Sequence, residues 1–250
     1  MPMSTGNTEH PLPHNPAEAV AVVREDARFG AAFLRRHGLR ILLFFVGVLL
    51  PLWGFGELAD ELREGEAFFF DDPLLNAAHA LGNQGFDHVF VALSALGYQW
   101  GVVPFNVLML LWLGFKRWMR EGLFAGVAVI GSALLNLGTK QFFARERPSL
   151  WESIAPESTY SFPSGHAMGS MTLAWVVVLL AWHTRWRMPV LLAALAFSVL
   201  VGLSRVYLGV HYPSDILAGW AAASIWTVGA YLLVFRGRRP WQGDRDTALD

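Results

Sequence analysis

The sequence predicts an all-α polytopic membrane protein: a six-transmembrane-helix bundle with short extracytoplasmic helices between spans one and two. Three observations carry this. Of the 250 residues, 54% are hydrophobic and only 16% charged, where an average chain carries about 25% charged residues. The apolar residues gather in long charge-free runs, near the ~20 residues a membrane-crossing helix needs. The Lys and Arg around those runs crowd into alternate connections, as they do when basic residues stay on the cytoplasmic side.

In chain order the charge-free runs are Ile41–Gly56, Val89–Phe115, Gly122–Thr139, Ala167–Trp182, Met188–Ser204 and Ile216–Phe235. The second is longer than one span requires. Its span is placed at Gln99–Phe115, and Val89–Leu96 becomes a helix near the interface. None of the runs carries the polar stripe of a helix on a soluble domain. Between spans one and two, "PLLNAAHAL" is preceded by Asp72-Pro73, a good helix start, and closed by Gly82, a good stop. It suits a short amphipathic helix lying on the membrane surface. His79 and His88 in this region read as surface residues rather than a metal pair.

Orientation follows from the basic residues. Arg35, Arg36 and Arg40 precede span one, and Lys116, Arg117 and Arg120 lie between spans two and three. Arg185 and Arg187 separate spans four and five, and Arg236, Arg238 and Arg239 follow span six. With six spans all four sets share one side. The connection from Glu57 to Asp87, on the other side, holds eight acidic residues and one Arg. Both termini are therefore expected in the cytoplasm. The domain organisation is a disordered cytoplasmic tail over 1–32, a six-span domain over 33–236 and a second cytoplasmic tail over 237–250. Met1–Asn15 is polar and Pro-rich, without the apolar core of a signal peptide. A formal net charge of -1 gives no reason to expect a nucleic-acid partner. With no cysteine, disulfides, Cys-type zinc sites and thiol catalysis are excluded.

Three polar clusters interrupt the apolar pattern on the outward side. They are "KQFFARERP" (Lys140–Pro148), "PSGH" (Pro163–His166) and "SRVYLGVHYPSD" (Ser204–Asp215). Lys140, Arg145, Arg147 and Arg205 thus fall on the side that basic residues otherwise avoid. Ionisable groups at membrane depth are costly and mark function. Snorkelling to headgroups accounts for one or two of them, not for four cations with two histidines and an aspartate.

Arg presents a planar fork to anionic oxygens and Lys a point charge, which together fit a phosphate. Ser164 offers a hydroxyl, and Gly165 allows close backbone approach where free helix-start N–H groups favour an anion. His211 and Asp215 are four apart and meet on one face if the chain is helical or turns tightly at Pro213. A carboxylate behind the imidazole fixes its tautomer and leaves the other nitrogen as a nucleophile. His166 is then free to act as general acid, and the cations would stabilise the equatorial oxygens of a transferring phosphoryl group.

At these residues the chain resembles the type 2 phosphatidic acid phosphatase (PAP2) superfamily. Its signature reads Lys-x6-Arg-Pro, then Pro-Ser-Gly-His, then Ser-Arg-x5-His-x3-Asp. The matches are Lys140…Arg147-Pro148, Pro163-Ser164-Gly165-His166 and Ser204-Arg205…His211…Asp215, all eleven fixed positions in order. The likeness runs from Phe33 to about Phe235. It implies that His211 attacks phosphorus to form a phosphohistidine with Asp215 behind it, and that His166 protonates the leaving group. It implies that Lys140, Arg147, Ser164, Gly165 and Arg205 hold the phosphate, with no metal and no cofactor. Arg145, outside the fixed positions, is left between an auxiliary phosphate contact and a headgroup contact. Ser204 is expected to support a helix end. Tyr207 and Tyr212 are candidates to line the site.

The implied partners are a phosphorylated lipid substrate and the surrounding membrane lipids. Oligomeric state leaves no mark in the sequence. The implied activity is a lipid phosphate or pyrophosphate phosphatase at the outer face of a bacterial inner membrane. Undecaprenyl pyrophosphate comes first as substrate, then phosphatidylglycerol phosphate and phosphatidic acid. The nearest rival is a phosphotransferase that passes the phosphoryl group to an acceptor such as lipid A. A vanadate-dependent haloperoxidase shares the signature but is soluble. An anion channel has no use for the His211–Asp215 spacing.

Overall fold

The computed structural model describes residues 16–82 and 85–242, and every regular element in them is helical. The Pro-rich stretch 1–15 and the last part of the carboxyl tail, 243–250, lie outside the described residues. The chain divides into two units, Met1–Leu42 and Leu43–Asp250. The described part of the first unit belongs to α1 (Pro16–Phe44). Of the tail expected over 1–32, the part from Pro16 onward lies in this helix. "PAEAVAVVREDARFGAAFLRR" is rich in Ala, Arg and Glu, good helix formers, and Pro16 fits a first turn.

In the second unit a π-turn (Phe45–Leu49) leads into α2 (Leu50–Glu64), which stops at Gly65 in the left-handed region, φ 75°. Then come α3 (Asp71–Gly82), α4 (Asp87–Leu96), α5 (Val102–Phe115) and α6 (Met119–Phe143). After a loop follow α7 (Gly165–Ala181), α8 (Arg187–Tyr207) and α9 (Pro213–Phe235). The stretch around Asp72-Pro73 forms α3, and Asp71 and Asp72 stand in its first turn, where acidic groups suit the helix dipole. The long run Val89–Phe115 divides as expected, with a turn at Gly97–Gly101 between α4 and α5.

Among the described residues, four helical stretches are long and apolar enough to cross a membrane: His37–Glu64, Met119–Phe143, Arg187–Tyr207 and Pro213–Phe235. The other two expected spans correspond to shorter apolar helices, α5 with 14 residues and α7 with 17. The helices run past the charge-free windows because charged residues do not end a helix. Accordingly α6 takes in Lys140, and α2 continues to Glu64.

At the centre α7 packs against both α8 and α9; α6 lies on α7 and α9, α2 on α9, α5 on α6, and α3 and α4 on α8. Close approach of α7 and α9 depends on Gly219, where a Cβ would stand 2.8 Å from the Ser164 carbonyl oxygen. Polar side chains bridge the helices. Ser132 and Thr172 hydroxyls are 2.7 Å apart, and Trp175 Nε1 donates to Ser224 Oγ at 2.8 Å. Meanwhile large apolar side chains such as Leu108, Leu111, Phe115, Leu134, Phe142 and Leu233 are exposed. Polar groups inside and an apolar exterior are what a bilayer solvent selects. Of the carboxyl tail, Trp241 folds back, its N–H donating to the buried Glu121 at 2.6 Å and its indole to Leu180 O at 2.8 Å.

Candidate active site

The three clusters meet at one end of α6, α7 and α9. Ser164 is the N-cap of α7, its Oγ accepting from Ala167 N, so Gly165 and His166 open the helix. Ser164 N donates to Asp215 O at 3.0 Å, tying this cap to the first turn of α9. In α9, Pro213 occupies the first position and Asp215 the third, and Asp215 Oδ2 accepts from Tyr212 N at 2.9 Å. His211 itself precedes the helix. The two residues therefore meet through an N-terminal capping turn, the tight-turn alternative at Pro213, with His211 Nδ1 3.3 Å from Asp215 Oδ2.

His211 and Asp215 are both fully buried. Asp215 can only accept here, so Nδ1 carries the hydrogen. Nε2 then offers its lone pair to the opposite side, where Arg147 Nη1 approaches to 3.2 Å. Burial pushes the His211 imidazole well below its ordinary value, and the nearby charges of Arg147 and Arg205 push it further.

Of the expected phosphate-binding residues, Arg147 reaches Nε2, Lys140 shares Thr159 with it and Arg205 shares Glu157 with it. Arg147 is fixed by its Nε to Thr159 O and by Nη1 to Val210 O, both at 2.6 Å. Lys140, near the end of α6, donates to Thr159 Oγ1 at 3.2 Å and to Tyr160 O. Arg205, on the last turn of α8, is buried and donates to Ser94 Oγ of α4. Its Nε has no hydrogen-bond partner among the described residues. A Cβ at Gly165 would stand 3.0 Å from Asn136 Oδ1, a tight fit to which that side chain would have to yield.

One residue in this cluster was missed by the sequence reading. Glu157, on the loop between α6 and α7, puts its carboxylate among the cations. It accepts from Arg147 Nη2 at 2.6 Å and from Arg205 Nη2. Its oxygens lie 3.7 Å from His166 Nδ1 and 3.9 Å from His211 Nε2. Burial alone would raise its pKa, but Arg205 foremost and Arg147 among its other cationic neighbours outweigh that and hold it below the ordinary value. A single acid in a Pro-rich loop forms no pattern a sequence reader can detect.

The Arg145 guanidinium, expected at a phosphate or a headgroup, bonds Asp215 Oδ1 at 2.6 Å, Ser214 Oγ at 2.8 Å and Asp71 Oδ2 at 2.9 Å. Ser204 does support its helix, donating to Val201 O at 2.7 Å. Tyr207 bonds Asp87 at 2.7 Å and Tyr212 lies under Arg145, so neither borders the cavity beside the cluster. His79 is exposed and stacks on Trp151 at 4.0 Å.

That cavity, about 760 Å³, runs from Lys140, His166 and Arg205 between α5, α6 and α7, past Val102, Leu137 and Thr172. A charged end joined to an apolar channel matches a ligand with an anionic head and a hydrocarbon tail.

Comparison with known proteins agrees with this architecture. Residues 121–239 match the model of the PAP2 superfamily. The chain is similar to phosphatidylglycerophosphatase B of Bacillus subtilis, 30% identical over 156 residues, covering 60% of this chain and 76% of that protein. It is also similar to an undecaprenyl-diphosphatase of Sulfolobus acidocaldarius, 33% identical over 141 residues, covering 54% of this chain and 65% of the relative. Among solved structures, the transmembrane PAP2 type phosphatidylglycerolphosphate phosphatase from Bacillus subtilis superposes with a TM-score of 0.63. That match has 25% identity and covers 80% of this chain and 97% of the other. With the signature gathered around one buried histidine and relatives matched over most of their length, this chain belongs to the PAP2 superfamily and is a membrane phosphatase of that family.

Proposed function

We propose that this protein is an integral membrane lipid phosphate or pyrophosphate phosphatase that works through a phosphohistidine on His211. The observation that carries the reading is the two-sided setting of that ring: Nδ1 against Asp215, Nε2 facing Arg147, with Arg205 and His166 held around the Glu157 carboxylate in front of it. In the first half-reaction the Nε2 lone pair forms the P–N bond. The P–O bond to the lipid breaks, and the leaving oxygen takes its proton from His166. Water then attacks phosphorus and gives a proton to His166 as the P–N bond breaks, which frees inorganic phosphate and restores the neutral His211. Lys140, Arg147 and Arg205, with Ser164 and the Gly165 N–H, hold the phosphate oxygens throughout. The Glu157 carboxylate stands in for those oxygens here, two anionic atoms between two guanidinium groups. The donors and acids of this chain thus supply the charge stabilisation and proton transfer themselves, and the reaction is proposed to need no metal.

The chain is read as crossing the bacterial inner membrane six times, with α5 and α7 as the short spans. Both termini then lie in the cytoplasm and the site at the outer face. The Lys and Arg distribution supports this. Undecaprenyl pyrophosphate is the favoured substrate, with phosphatidylglycerol phosphate and phosphatidic acid next. The names of the relatives include the first two chemistries.

The test is phosphate release by detergent-purified protein in EDTA, with the three lipids in parallel. His211→Ala should lower kcat by about 10⁴ or more, as loss of a nucleophile does. Near wild-type turnover in that variant would overturn the nucleophile, and activity requiring added divalent ions would overturn the metal-free reaction. Substrate consumed only when a lipid acceptor is present, with the phosphoryl group recovered on that acceptor and no free phosphate released, would favour the phosphotransferase.

A further inference from the structure

We propose that Asp71 is a positioning residue for the nucleophile, sharing Arg145 with Asp215 so that the cluster behind His211 keeps one net negative charge. This rests on the reading of His211 as nucleophile.

Arg145 bonds Asp215 Oδ1 at 2.6 Å and Asp71 Oδ2 at 2.9 Å. With Asp215 as its only acid partner, Arg145 would form a neutral pair, and Asp215 would have little charge to offer His211. The second carboxylate changes that. Asp71 and Asp215 are both buried, 3% and 0% exposed, and one guanidinium cannot neutralise both. When Nε2 forms the P–N bond, the His211 ring becomes cationic while its Nδ1 hydrogen still points at Asp215. An uncancelled negative charge at that spot stabilises the cationic ring more than the neutral one, which is what lowers a barrier.

Asp71 also positions. Its Oδ1 accepts from Ser214 N at 2.9 Å and its Oδ2 from Ser214 Oγ at 2.6 Å. Ser214 N is a first-turn donor of α9 with no partner inside its own helix. The first residue of α3 thereby fixes the turn that carries Asp215. Arg145 is seated by Tyr212 and Phe68, whose ring centroids lie 4.1 and 5.3 Å from its guanidinium carbon. Phe68 and Asp71 sit on one short segment outside all three signature clusters.

The experiment measures kcat and KM of Asp71→Asn, of Asp71→Asn/Arg145→Gln and of His211→Ala on the best lipid substrate. Rates are taken per mole of monodisperse protein. Asp71→Asn keeps the shape and removes the charge. Its kcat should fall about 10²-fold, the scale of one lost transition-state contact, with KM within about twofold because the phosphate cradle is untouched. The double variant leaves Asp215 as the one charge in the cluster, restoring the net value. It should recover about tenfold over Asp71→Asn, reaching about a tenth of wild type. A purely structural role makes the double variant slower than the single. Asp71→Asn within about threefold of wild type, or a double variant no faster than the single, overturns the proposal. Should Asp71→Asn give no monodisperse protein, the double variant decides alone. A kcat at or above about one-thirtieth of wild type upholds the proposal, and a lower one overturns it. Turnover persisting in His211→Ala would sink the nucleophile reading instead.

Discussion

The two sides of His211 are built on opposite charge logic. Behind the ring, one guanidinium serves two carboxylates, and hydrogen bonds from Ser214 and Tyr212 complete the cluster. In front, Lys140, Arg147 and Arg205 face a single carboxylate, Glu157, which is 28% exposed and comes from a loop. The rear is a closed scaffold. The front carries excess positive charge and an anion that can leave. A phosphate ester, with about −1.5 to −2 charges, balances the front far better than one carboxylate does. The contrast separates residues that hold the nucleophile from residues that hold the substrate, and each kind should fail differently when changed.

Among front-side changes the largest effect is expected at Arg205. It links α8 to Ser94 of α4 and to the front-side anion with one planar group. Arg205→Ala should lower kcat/KM by about 10²–10³, because one charge-stabilising donor is lost. Arg205→Lys should recover little, since a point charge cannot replace a fork with two partners. Full activity in Arg205→Lys, measured as lipid phosphate release, would show that charge alone matters and blunt the contrast.

The division of labour explains which parts were legible in the sequence. Lys140, Arg147, Ser164, Gly165, Arg205, His166, His211 and Asp215 lie in three short patterns, so their spacing announced them. Their meeting depends only on a bundle that brings the ends of α6, α7, α8 and α9 together. Glu157 and Asp71 were illegible because Glu157 is one acid in a Pro-rich loop and Asp71 one of several acids in an acidic connection. Their partners lie far along the chain, Arg205 for Glu157 and Arg145 and Ser214 for Asp71. The acid partners of Arg145 were equally illegible, because the sequence does not tell which way a side chain beside a left-handed residue, Ala144 at φ 47°, will turn. The helix boundaries slipped for a different reason. Charge-free windows follow hydropathy, whereas a helix ends where its backbone finds a cap or a turn, as α2 does at Gly65 and α6 at Ala144.

A smaller effect, of opposite sign, is expected at Glu157. If its carboxylate competes with phosphate for Arg147 and Arg205, removing the charge should strengthen anion binding. Glu157→Gln should lower the inhibition constant for inorganic phosphate by about tenfold, equivalent to about 1.4 kcal/mol. Weaker inhibition in the variant would mean that Glu157 holds the cradle together rather than occupying it.

The mildest test is stability against pH, and it probes both sides together. Burial first, then Arg147 and Arg205, push the folded His211 well below its ordinary value, while Glu157 pulls the other way and does not prevail. The unfolded histidine takes a proton near pH ~6.5 and the folded one does not. Between those two values the unfolded state binds more protons, so stability rises with pH there and is lost as pH falls below about 6.5. The limiting slope for one proton is about 1.4 kcal/mol per pH unit, or roughly 3–6 °C in Tm for a chain of this size. Glu157, held low by its cations, adds acid sensitivity only further down, below the ordinary carboxylate range. Detergent-solubilised wild type should therefore lose Tm from pH 6.5 to 5, and His211→Gln should lose less over the same interval. Equal slopes in the two proteins would mean that His211 accepts a proton readily in the fold. The front-side cations would then be too well screened to govern the ring, and the charge contrast across it would be weaker than the distances imply.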